Sequence, residues 1–140
     1  MNITANQAEK VVEAAKAKAT AIGVAMNIAI VDEGTNLKSF CRMDEALLGS
    51  GDLAIRKAKT SRLFNRNSEE IGKLSLPGGP LYHIESSNGG LVSFAGGVVL
   101  KNNAHQIIGA IGVSGGSVEQ DHDVAIAGAS VLLFNEDEHN

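Results

Sequence analysis

The stretch IIGAIGVSGGSVEQD (residues 107–121) decides the fold. An apolar run passes through Ser114-Gly115-Gly116 into an acidic segment that reads as the start of a helix. A parallel βαβ unit with a phosphate-cradling loop contains such a junction, and so does an antiparallel strand that turns sharply into a helix. The glycines at 109, 112 and 115 spell GxxGxxG, which matches neither GxGxxG nor GxxxxGK[ST]. No lysine follows Gly116, and no acidic residue closes a second parallel strand. The segment reads as a strand that turns into the last helix. Two readings of its glycines stay open: they let a neighbouring element approach the strand, or Ser114, Gly115 and Gly116 present the helix's first N–H groups to a carboxylate or phosphate.

Working outward, LVSFAGGVVL and IIGAIGV flank NNAH, which predicts a hairpin with strands near 91–101 and 105–113. The helix that follows, 117–134, has Ser117 and Gln120 in capping-box spacing and carries Val118, Val124, Ala125, Ala129, Leu132 and Leu133. At the other end, Thr4 and Gln7 open a helix whose apolar residues Ala8, Val11, Val12, Ala15, Ala19 and Ile22 recur at helical spacing until Gly23 stops it. Residues 24–33 and TNLKSFCRM form a second hairpin about Gly34. A helix from Ser50 or Asp52 to Asn65 comes next, then a helical turn at 68–74. Helix, hairpin, helix, long loop, hairpin, helix is not βαβ alternation. It specifies an α+β chain with one antiparallel sheet packed by helices.

A chain of 140 residues, 44% hydrophobic and 20% charged, suits one domain that folds without staples. A net charge of −4 gives no general attraction to nucleic acid. Cys41 is the only cysteine, which excludes an intrachain disulfide and a cysteine zinc knuckle. The amino terminus has no secretion-signal pattern and no apolar run reaches the ~20 residues of a membrane span, so a soluble cytoplasmic protein is expected.

Two cations stand out. Arg42 ends a strand, and Lys57 projects between Leu53, Ser61 and Phe64, on or beside the buried side of its helix, away from the basic stripe Lys59, Arg62 and Arg66. A half-buried cation has an anionic partner. Either the partner is internal, from Asp32, Asp44 or Asp52, or it is an acidic ligand. Asp32 with Glu33 reads first as a turn. Glu119 with His122 or Asp123 has the i, i+3 or i+4 spacing of a metal site, but acidic residues in a helix's first turn are favoured by its dipole without any ligand, and that reading comes first. Residues 75–90, SLPGGPLYHIESSNGG, form a loop too long to be a mere connection. His83 within it is a candidate axial ligand to a haem or metal, whereas His105 and His139 read as exposed.

VAMNIAIVDEGTNLKSFCRMDEA, AIRKAKTSRLF, GGPLYHIESSNGGLVSFAGGVVL and IIGAIGVSGGSVEQDHDVAIAG together resemble the GlcG/HbpS family, which also occurs as the carboxy-terminal domain of PduO-type proteins. The resemblance runs from Val24 to Gly128. It implies a profilin- or PAS-like domain with a single antiparallel sheet of about five strands, assembling into homo-oligomers that are often octameric. It also implies haem or corrinoid binding, redox sensing, and a place beside the catabolism of small hydroxy compounds. Asp32, Arg42, Lys57, Thr60, Ser114, Gly115 and Asp121 fall on the family's pattern, and the expected ligand-binding set is Asp32, Arg42, Lys57, Thr60, Ser114, Gly115 and Gly116. His83 and Val99 depart from it, standing where glycine and proline are common.

Two functions follow as expectations. One is a binding module for haem or a related tetrapyrrole, with Arg42 or Lys57 on its propionates; an aromatic content of 4% without tryptophan is thin for such a pocket. The other is a small enzyme or carrier for a small hydroxy or keto acid, its carboxylate held by Lys57, Arg42 and the backbone of Ser114 to Gly116.

Overall fold

The computed structural model describes residues 1–137, with side chains through Leu133; His139 lies outside them. Helix α1 (Ala5–Ile22) is closed at both ends by local chemistry. Thr4 Oγ1 accepts from the Gln7 N–H at 3.1 Å, Gln7 Oε1 accepts from the Thr4 N–H at 2.9 Å, and Gly23 ends the helix in the left-handed conformation. Strands β1 (Asn27–Asp32) and β2 (Leu37–Arg42) follow, then α2 (Gly49–Phe64) and α3 (Ser68–Leu74). A single 3-10 turn at Ile84–Ser86 interrupts the long loop. The chain continues through β3 (Gly97–Lys101) and β4 (Ile107–Ser114) into α4 (Val118–Asp137).

The sheet has four strands in the order β2-β1-β4-β3, every pair antiparallel. This corrects the expected five. Strand alternation sends Ile28, Ile30, Val98, Leu100, Ile111 and Val113 to one face, against α1 and α4, where they join Val11, Ala15, Val124 and Leu132 in the main core. On the opposite face Val31 and Ala110 pack with Ala58 of α2. There α2 lies so close to β4 that a Cβ on Gly112 would overlap the Ala54 carbonyl oxygen. Gly112 in β4 therefore serves helix packing, whereas a Cβ on Gly109 would meet the Val31 carbonyl of β1. Gly115, at φ +143°, turns the chain out of β4 toward α4.

Residues 91–96 are not strand, contrary to the expected 91–101. Two of their backbone groups are taken by side chains from the helices: Thr60 Oγ1 accepts from the Val92 N–H at 3.1 Å, and Ser68 Oγ donates to the Phe94 carbonyl at 2.5 Å while accepting from the N–H of Gly97, where β3 begins, at 2.8 Å. Backbone groups bonded this way are not free for a ladder. Among the described residues no helix is long and apolar enough to cross a membrane.

Candidate functional site

Lys57 is buried, 1% exposed, and its Nζ donates to Asp121 Oδ2 at 2.9 Å and to the Val113 carbonyl at 3.0 Å. Burial draws the Lys57 ammonium below its ordinary range, opposed by the hydrogen bond and charge of Asp121. The other oxygen of the same carboxylate, Oδ1, accepts from the Gly116 N–H at 2.9 Å. Ser117 and Gln120 close the start of α4 with a reciprocal pair of hydrogen bonds, 3.1 and 2.9 Å. Asp121 thus supplies the carboxylate at the Ser114-Gly115-Gly116 turn, and the partner of Lys57 is none of Asp32, Asp44 or Asp52.

The remaining residues of the expected set are dispersed. Asp32 sits in the hairpin turn, its Oδ1 accepting from the N–H groups of Gly34 and Asn36 at 2.9 Å each. It pairs with Gly109, at the opposite end of β1 from the Asn27–Ser114 pair. Thr60 Oγ1 donates to the Arg56 carbonyl at 2.7 Å and so tethers the loop at Val92 to α2. Arg42 is exposed at the end of β2, paired in register with Asn27, and its guanidinium has no hydrogen bond or ion pair among the described residues.

His83 belongs to a different place. It adopts φ +72° in the long loop, with its ring centroid 3.9 Å from that of Tyr82 and the planes 48° apart. Both rings line a groove of about 930 Å³ between α3, the loop and the start of α4. Leu76, Pro77, Phe94 and Val118 give it apolar walls. Glu85 lies in it as well, with Oε2 accepting from Ser93 Oγ at 2.9 Å and Ser75 Oγ at 3.1 Å. A hydrogen bond from its own backbone, then the Ser93 and Ser75 hydroxyls and the nearby His83, hold the Glu85 carboxyl below the usual glutamate range. The groove therefore combines apolar walls, a fixed anion and one imidazole. Beside it His122 Nε2 approaches Glu69 Oε1 at 3.9 Å, and no three metal-ligating side chains converge among the described residues.

Glu85, Ser75, Ser93, Phe94 and Val118 were not legible as site residues. The length of the 75–90 loop was the one signal that pointed to this region, because a lone glutamate and two serines form no recognisable spacing.

The sequence profile of the family described as haem degrading protein HbpS-like matches residues 3–130. The chain is 39% identical over 124 residues to an uncharacterized 15.0 kDa protein in the dhaT-dhaS intergenic region of Citrobacter freundii, covering 88% of this chain and 87% of that protein. It is 40% identical over 114 residues to the corrinoid adenosyltransferase PduO of Salmonella typhimurium, covering 80% of this chain but 33% of PduO, so it corresponds to about a third of that enzyme. A solved PduOC:heme complex superposes with a TM-score of 0.87 at 34% identity, covering 93% of this chain and 94% of that one. A match over nearly the whole length, carried by this α+β fold, places the chain in the HbpS-like family.

Proposed function

We propose that the protein binds haem or a related tetrapyrrole in the groove beneath the 75–90 loop. The observation that carries this reading is the groove itself: about 930 Å³, walled by Leu76, Pro77, Tyr82, Phe94 and Val118, with the His83 imidazole at its edge. That volume lies in the range of small-molecule sites, and apolar walls with a few polar groups are what a porphyrin face requires. The haem complex of the related PduOC supports the reading. His83 would hold the iron, Lys73 would meet a propionate, and a bound haem would supply iron-centred redox and ligand chemistry. Self-association accompanies this reading, since Leu37, Leu47, Leu48 and Leu63, none of which lines the groove, are large exposed apolar side chains.

Titration with hemin, followed at the Soret band, tests the site. The expected result is a saturable shift that His83→Ala weakens by about tenfold or more, as loss of an axial bond should. No saturable shift would overturn haem binding, and unchanged affinity and spectrum in His83→Ala would remove His83 as the ligand.

A further inference from the structure

Ser75 and Leu91 are buried, and none of residues 76–90 between them is. This stretch supplies one wall of the groove through Leu76, Pro77, Tyr82, His83, Glu85 and Ser86. Local stability follows buried apolar contact, so a segment that buries no side chain of its own lies at the low end of the range and opens ahead of the core.

Hydrogen bonds decide how the segment is held. Toward its start, the Leu81 N–H donates to the Leu74 carbonyl at the end of α3, at 2.9 Å. In its middle, the Glu85 carboxylate accepts from the Ser75 and Ser93 hydroxyls, and the Glu85 carbonyl accepts from the Leu91 N–H at 2.8 Å. At its end one nitrogen of α2, Arg56 Nη1, donates to the Gly89 carbonyl at 2.9 Å and to the Gly90 carbonyl at 3.0 Å. Asp52, one helical turn earlier, steadies the same guanidinium through Nε at 2.8 Å. Arg56 is not part of the groove lining.

The backbone at this end is free to turn unless it is held. Asn88, Gly89 and Gly90 all adopt left-handed conformations, at φ +51°, +75° and +106°, which asparagine and glycine take up most readily. A Cβ on Gly90 would stand 2.6 Å from Arg56 Nη1, so the absence of a side chain lets the guanidinium close on both carbonyls. Gly78, at φ +83°, gives the opposite end the same freedom.

We propose that residues 76–90 open as one strap, hinged at Gly78 and at 88–90, and that Arg56 is the positioning residue that locks the second hinge and holds the groove wall in place. Tyr82 and His83 travel with the strap, so the groove proposed for haem changes shape as it opens. The opening itself does not depend on what the groove binds.

Residue-resolved amide hydrogen exchange on the full chain, without ligand, tests this. The N–H groups of Leu81 and Leu91 each bridge the strap and the residues flanking it, so a strap that opens as a unit exposes both at once. They should share one protection factor, about a hundredfold or more below that of the β4 amides. Arg56→Gln should lower it at both residues by about tenfold or more, the loss expected for hydrogen bonds from a charged donor. Leu81 is the decisive probe, since its N–H is bonded to Leu74 and not to Arg56. Gly112→Ala, which disturbs the packing of α2 on β4, should lower protection in β4 and leave Leu81 and Leu91 unmoved. Protection of Leu81 equal to that of β4, no change at Leu81 in Arg56→Gln, or a parallel fall at Leu81 and β4 in Gly112→Ala would each overturn the proposal.

Discussion

Lys57 and Asp121, 64 residues apart in the chain, meet at 2.9 Å in the interior and bind α2 to the first turn of α4. The lysine also holds the Val113 carbonyl near the end of β4, and the aspartate holds Gly116 beyond it. One ion pair therefore fixes a helix, a strand end, a turn and a second helix together. Both side chains are almost wholly buried, so breaking the pair leaves an uncompensated charge rather than a solvated one.

Lys57→Met should lower unfolding stability by about 3–5 kcal/mol, because Asp121 then stands buried without its counter-charge. Adding Asp121→Leu should recover much of that loss, short of the hydrogen bond to the Gly116 N–H. Urea unfolding of the two single variants and the double variant measures the coupling, and additive losses would mean that the pair contributes nothing as a pair.

Gly112→Ala should cost about 3 kcal/mol, since its methyl overlaps backbone of α2 that cannot yield like a flexible side chain. Gly23→Ala is the comparison: no atom lies within 4 Å of its Cβ position, and at φ +73° the cost is conformational only, about 1 kcal/mol. Thermal unfolding should rank the two in that order.

Glu85 makes the groove acid-sensitive. Its carboxyl is held below the ordinary value of 4.5, so its contribution is complete above that pH and is lost as pH falls through the lowered native value. The stability difference between the native chain and Glu85→Gln should accordingly be constant at neutral pH and vanish in acid. A difference that stays level down to the acid transition would contradict the assignment.

Phe94 is exposed on the groove wall, so Phe94→Asp should leave the circular dichroism spectrum and melting temperature nearly unchanged while sharply weakening hemin binding. Undiminished hemin affinity in this variant would place the ligand elsewhere.

The expected homo-oligomer is checked by light scattering on the eluting protein. A mass that is a multiple of 14.5 kDa is the predicted result, and a monomer at micromolar concentration would contradict it.

Local pattern carried the elements. The capping boxes at Thr4–Gln7 and Ser117–Gln120 and the helical spacing of Val11, Ala15 and Ala19 are each complete within a few residues, so their physical meaning is present in the sequence itself. The α+β class followed from their order. Strand limits were less legible at 91–96, where Thr60 and Ser68, distant in the chain, bond the Val92 N–H and the Phe94 carbonyl that the apolar pattern assigned to a ladder.

The site residues divide along the same line. Sequence alone marked Lys57 as a cation on the wrong side of its helix and residues 75–90 as more than a connection, because burial side and loop length are local properties. It did not identify Asp121 as the partner of Lys57, Ser75 and Ser93 as the brace of Glu85, or Asn27 as a neighbour of Arg42 and Ser114. Each of these depends on strand register or helix docking, which bring together groups with no fixed spacing along the chain. What the sequence determined by itself was which groups need a partner; only the tertiary structure decided which partners they have, since an ion pair or hydrogen bond is set by distance in space.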